Sequence, residues 1–149
     1  MIDHVDIKLE RQDTPYQVQM AVYTDETYAT EVTVEYGITV PDFIYFGLSL
    51  LDGTANLVLS ARKCWATPSQ DPDYHTNYVF IHDFCSAEQD DEILVIRRNG
   101  VGHEVQVSLQ SFEFLGDIGG SLYLHCQVKI NSVTDVELFT KLFLEIYMK

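Results

Sequence analysis

A chain of 149 residues is long enough to bury the core of one domain without metals or a dense set of crosslinks, and too short for two full domains. Nine basic against 23 acidic residues leave a net charge of −14, which repels phosphate backbones and anionic lipid headgroups and argues against a nucleic-acid partner. Aromatic residues make up 12%, nearly all Tyr and Phe, a composition that suits packed strands and argues against disorder.

The N-terminus, Met1-Ile2-Asp3-His4-Val5, lacks the basic start and apolar middle of a signal peptide, so either a signal has been removed or the chain is a fragment. No apolar run is long enough to span a bilayer, so direct membrane insertion by this chain is not expected. Over about residues 4–10, Val5, Ile7 and Leu9 share one face of a first strand. Val18, Met20 and Val22 then alternate with Gln17, Gln19 and Ala21, the pattern of a half-buried strand. The same rule predicts strands near 16–23, 31–36, 43–51, 55–65, 77–82, 93–97, 104–115 and 121–130.

Turn signals separate these runs at Asp52-Gly53, Pro68 through Pro72, Asn99-Gly100 and Gly119-Gly120. Ala66 to His75, rich in Pro, Asp and Ser, reads as an exposed loop, and Asn99-Gly100 as a hairpin turn. Apolar parity switches from Val105, Val107 and Leu109 to Phe112 and Phe114, which a bulge near Gln110 explains. Leu122, Leu124, Cys126, Val128 and Ile130 share one face, opposite Ser121, Tyr123, His125, Gln127 and Lys129. Cys126 is thus expected to point into the core, an orientation that suits a disulfide between sheets. Many short strands joined by turns imply an all-β sandwich.

The end of the chain follows another rule. Val136, Phe139, Phe143 and Ile146 recur at helical spacing, with Leu138 and Leu142 widening the stripe, and Thr134-Asp135-Val136-Glu137 resembles a capping box. A short helix over about 135–147 is expected, with a final edge strand as the rival reading.

Nothing in the sequence assembles into a catalytic site. His82-Asp83-Phe84-Cys85 is the nearest approach to a Cys–His pair, yet side-chain alternation along one strand is expected to turn His82 and Cys85 apart. His75, His82, His103 and His125 do not fall into a zinc spacing, and Asp71, Asp73, Glu88, Asp90 and Asp91 do not match a calcium loop. No phosphate cradle, serine elbow or Asn-x-Ser/Thr sequon occurs, so neither an enzyme nor a cofactor is expected. Cys64, Cys85 and Cys126 make an odd count. In a secreted protein this means a free thiol, an intermolecular bond or a missing residue; by count alone the three are equally well buried cytosolic thiols.

The order Cys, Trp, Cys is similar to an immunoglobulin domain only in architecture, because Trp65 follows Cys64 directly and position 124 is Leu where antibody domains carry Tyr. A closer likeness lies elsewhere. Cys64-Trp65-Ala66-Thr67-Pro68-Ser69, then Cys85, then Gln110-Ser111-Phe112-Glu113-Phe114 and Leu122-Tyr123-Leu124-His125-Cys126 resemble the zona pellucida (ZP) module, in particular its C-terminal ZP-C subdomain. Val18 to Tyr23 and Phe43 to Gly47 fit as well, so the resemblance covers roughly residues 4–130. It implies an immunoglobulin-like domain over 1–131, followed by an atypical tail over 132–149.

The resemblance further implies that Cys64 pairs with Cys126, and that Cys85 pairs with a later cysteine, which this chain does not have. Cys85 is therefore expected to be unpaired. The family's basic cleavage site, external hydrophobic patch and membrane anchor are likewise not found after residue 131. The likeness places Val5, Ile7 and Leu9 at the internal hydrophobic patch, a candidate interaction strand. It implies a structural role in a secreted or membrane-tethered protein that assembles into extracellular filaments or matrix. The implied partners are the ZP-N half and other ZP-module chains, with an extracellular protein ligand as the alternative.

Overall fold

The computed structural model describes residues 5–12, 16–32, 41–51, 56–114, 122–132 and 142–148. Every regular element among them is a β-strand. In chain order these are β1 (Val5–Gln12), β2 (Val18–Tyr23), β3 (Phe43–Leu50), β4 (Leu57–Thr67), β5 (Tyr78–His82), β6 (Cys85–Ser86), β7 (Leu94–Arg98), β8 (Glu104–Gln110), β9 (Leu122–Ser132) and β10 (Leu142–Met148). They form two antiparallel sheets, one ordered β1-β10-β9-β4-β5-β6 and the other β2-β3-β8-β7.

Period-two alternation builds the core directly. Val18, Met20 and Val22 of β2, Ile44, Phe46 and Leu48 of β3, and Val105, Val107 and Leu109 of β8 are all buried. Against them stand Leu57, Leu59 and Ala61 of β4 and Leu122 through Ile130 at alternate positions of β9. Phe46 of one sheet meets Phe80 of the other edge to face at 5.9 Å, both fully enclosed. Gly47 sits where a Cβ would lie 3.0 Å from the Tyr23 ring and 3.3 Å from the Val105 carbonyl, so β3 carries no side chain there.

Part of the outer face of the four-stranded sheet is covered by the loop after β2. Residues 24–30 turn back through Thr24 N–H to Thr30 O (3.0 Å), with Tyr28 at a positive φ of 55°. Its ring packs edge to face on Tyr23 and Tyr45, its hydroxyl meets Ser108 Oγ at 2.9 Å, and the Arg97 guanidinium lies 5.9 Å above it.

Several expectations need correction. Leu142–Met148 is not helical: it is a strand set between β9 and β1, paired Leu144 with Cys126 and Ile146 with Leu124. The stripe at spacing three and four also satisfies period two at 142, 144, 146 and 148, and Phe, Ile and Tyr favour a sheet once a long partner strand is present. The rest of the helix reading, residues 135–141, lies outside the described residues, as does most of the strand expected at 31–36, of which Glu31 bridges Tyr23. No bulge occurs at Gln110. There β8 ends, and Phe112 and Phe114 pack half-buried beyond it as irregular chain.

Removing residues 142–149 tests the placement of β10. A chain so shortened should lose hydrogen-exchange protection along both β1 and the facing edge of β9, because β10 supplies the ladder to each. Unchanged exchange in β9 would favour a docked helix over a strand.

Candidate functional site

The two motifs that carry the family likeness turn out to be one cross-strand block. In the β4–β9 ladder Cys64 faces Cys126, Trp65 faces His125, Ala66 faces Leu124 and Thr67 faces Tyr123. A bulge makes this register possible. Ala61 pairs with Val128 and Lys63 with Gln127, leaving Arg62 as the extra residue. It shifts the inward parity of β4 from Leu57, Leu59 and Ala61 to Cys64 and Ala66. In an unbulged ladder Lys63 would stand opposite Cys126.

Cys64 and Cys126 are joined by a disulfide, with Cα atoms 4.2 Å apart and both residues fully enclosed. The close Cα separation is that of a non-hydrogen-bonded antiparallel pair. The staple therefore lies within one sheet, not between two, because the first cysteine sits on the neighbouring strand. Closing a loop of 62 positions stabilises the folded state by about 4 kcal/mol on the chain-entropy estimate.

Outward from the staple lies a polar and aromatic layer. The Trp65 ring stacks on His125 at 5.4 Å, carries the Lys63 ammonium 4.8 Å from its centroid, and donates through Nε1 to the Pro72 carbonyl at 2.8 Å. Pro72 thus holds the loop against Trp65 while Gln70, Asp71, Asp73 and His75 stay exposed; Ala66 and Thr67, expected in that loop, are instead the buried end of β4. Thr67 Oγ1 donates to Ser69 O at 2.5 Å and lies 2.7 Å from His125 Nε2. A hydroxyl has one proton to give, so His125 must carry its hydrogen on Nε2 and donate it to Thr67. In Cys64-Trp65-Ala66-Thr67 the cysteine thus staples the strands, the tryptophan covers them, the alanine fills a small gap in the core and the threonine locks the outer layer.

Cys85 is a free, exposed thiol on the two-residue strand β6, the far margin of the six-stranded sheet. Asp83 and Phe84 before it both have positive φ, 48° and 70°, and reverse the chain so that His82 and Cys85 become ladder partners. They do not face apart, as one continuous strand would require; they project from the same side. His82 and Asp83 approach to 3.4 Å, but their side chains are 66% and 71% exposed, so the pair is screened by water and worth little. Phe84 is held by its N–H to Arg62 O at 3.0 Å, and Lys129 lies 5.8 Å above its ring.

Asn99, expected only to make a turn, is the residue that sequence reasoning missed. Its Oδ1 accepts from Ala61 N–H at 2.7 Å, and its Nδ2 donates to Ala61 O at 3.0 Å and Phe84 O at 3.1 Å. The only sequence signal was the Asn-Gly pair itself.

A second partly buried cluster lies where the sheets meet on the β6–β7 side. A cavity of about 330 Å³ is lined by Tyr78, Glu88, Ile93, Gln110, Ser111 and Phe112. The Tyr78 hydroxyl donates to Glu88 at 2.5 Å. Burial, then that bond, pushes the Tyr78 phenol well above its usual value, while the same bond holds the Glu88 carboxyl below the ordinary carboxylate range. Ionised Glu88 therefore favours the folded state at neutral pH, and this is lost as the pH falls through its folded pKa.

Val5, Ile7 and Leu9 lie in β1, whose backbone pairs with β10 through Met148, Ile146 and Leu144. β1 is a margin of the six-stranded sheet, and no described strand pairs with its other side. A bulge falls between Leu9 and Arg11.

A stapled antiparallel sandwich of two sheets defines the class: an immunoglobulin-like structural domain. The comparison with protein families is specific. Residues 12–137 match the zona pellucida family model described as the ZP-C domain, and the chain belongs to that family. Alpha-tectorin of Gallus gallus is 29% identical over 87% of this chain and 6% of its own length. The pancreatic secretory granule membrane major glycoprotein GP2 of Mus musculus is 34% identical over 76% of this chain and 21% of its own. Uromodulin-like 1 of Homo sapiens is 26% identical over 64% and 7%. The chain thus spans only a small part of each relative. Membership makes this a structural domain rather than an enzyme.

Thr67→Val tests the outer layer. It keeps the shape but removes both bonds of the hydroxyl and leaves the Ser69 carbonyl and His125 Nε2 without it, which should cost about 1–3 kcal/mol in denaturant unfolding. A loss well under that range would mean that Thr67 does not lock the layer.

Proposed function

We propose that this domain is the C-terminal half of a ZP module in a secreted or membrane-tethered protein, and that it works by joining chains into extracellular filaments or matrix. The observation that carries the reading is the margin of β1, whose outer side has no strand partner among the described residues. Backbone N–H and C=O groups along such a margin accept a strand from another chain, and main-chain hydrogen bonds then supply the affinity. The opposite margin is far less suitable, because β6 is only two residues long. The disulfide is in keeping with an oxidising, extracellular setting.

Val5, Ile7 and Leu9 mark the proposed interaction strand, with the ZP-N half and other ZP-module chains as the partners. The chemistry is strand addition and burial; no catalytic group or cofactor takes part.

The test uses the full parent protein, processed and secreted by cells. Electron microscopy should show filaments, and residues 5–12 should gain hydrogen-exchange protection in the filament over the free chain. A monodisperse ectodomain with a saturable protein ligand would contradict assembly and favour a receptor role. Filaments with unchanged exchange over 5–12 would move the contact elsewhere.

A further inference from the structure

Strand β5 pairs with β4 only at Cys64, Trp65 and Ala66, so the same edge of β4 at residues 59–61 has no strand beside it. The β7–β8 loop fills the gap. Leu59 N–H donates to Gly102 O at 2.8 Å, Gly100 N–H donates to Leu59 O at 3.2 Å, and the Asn99 carboxamide exchanges two hydrogen bonds with the backbone of Ala61. The side chain thus imitates one residue of an antiparallel ladder. A third bond, to Phe84 O, ties in the turn that carries Cys85. One amide therefore joins the loop of one sheet, the edge of the other beside the Arg62 bulge, and the β5–β6 turn.

We propose that Asn99 is a deamidation site held inert by the fold, and that its reaction releases this clamp irreversibly. Gly100 has no side chain to shield its backbone nitrogen, and its φ of +81° is one that other residues rarely adopt. The deprotonated Gly100 nitrogen attacks Asn99 Cγ, the Cγ–Nδ2 bond breaks and ammonia leaves, giving a five-membered succinimide. Water then opens that ring at either carbonyl, yielding aspartate or isoaspartate. One water is consumed and one ammonia released, with no oxidant or reductant.

In the folded domain both reacting groups are engaged. The Gly100 N–H is committed to Leu59 O, and the carboxamide is fixed by three hydrogen bonds, so attack needs the loop to lift from β4. Once formed, an ionised aspartate offers acceptors only. It faces the carbonyls of Ala61 and Phe84, where Nδ2 had donated, and cannot restore either bond. The isoaspartate product also adds a methylene to the main chain and displaces Gly100 from its turn. Either product weakens the cover over residues 59–61 of β4.

The full chain, folded or unfolded in guanidinium, is held at mildly alkaline pH and the peptide containing Asn99 is followed by mass spectrometry, with aspartate and isoaspartate separated chromatographically. The unfolded chain should deamidate at Asn99 at least about tenfold faster than the folded one. Folded chain that has reacted should show faster amide exchange at Leu59 and Ala61. Equal rates in the two states, or unchanged exchange after reaction, would overturn the proposal. Asn99→Asp supplies the reacted side chain without a backbone change and should show the same faster exchange. If Asn99→Asp does not fold, the comparison of rates still decides.

Discussion

The antiparallel pairing of β4 with β9 is the constraint on which the rest of the domain depends. One extra residue, Arg62, sets the phase of that ladder. Inward it brings Cys64 against Cys126 and Ala66 against Leu124, closing the core; outward it brings Trp65 onto His125 and Lys63 beside Gln127. Because side chains alternate with a period of two, a slip of one residue would exchange the two faces, placing Trp65 in the core and the cysteine in the outer layer. The disulfide, the tryptophan lid and the threonine lock all report the same register from different sides of the sheet.

Around this pair the fold handles its margins unequally. The β4 edge is covered at one end by β5 and at the other by the Asn99 loop, and β6 is too short to template another strand. β1 differs in having eight residues and a described partner on one side alone. The assembly reading rests on that contrast, and membership in the zona pellucida family gives it context.

Much of the fold was legible because strand periodicity is a local signal. Val18-x-Met20-x-Val22 and Leu122 through Ile130 alternate so cleanly that each inward face follows from the order of residues alone. The final segment misled because its apolar residues satisfy two periods at once, and the choice was made by β9, a partner remote in sequence. His82 and Cys85 misled for the opposite reason: a turn formed by Asp83 and Phe84, rather than by Asn and Gly, leaves little local mark. The bulge at Arg62 and the three bonds of Asn99 were not legible, since each depends on which strand or loop lies alongside. The family likeness named the cysteine pair, while the reason for it, direct opposition in one ladder, is a matter of register.

The most direct measurement of that register is a peptide map of the folded chain under non-reducing conditions, with accessible thiols alkylated first. The peptides containing Cys64 and Cys126 should remain joined, and Cys85 should be alkylated without denaturant. A bond from Cys85 to either of the others, or alkylation of Cys64, would contradict that register.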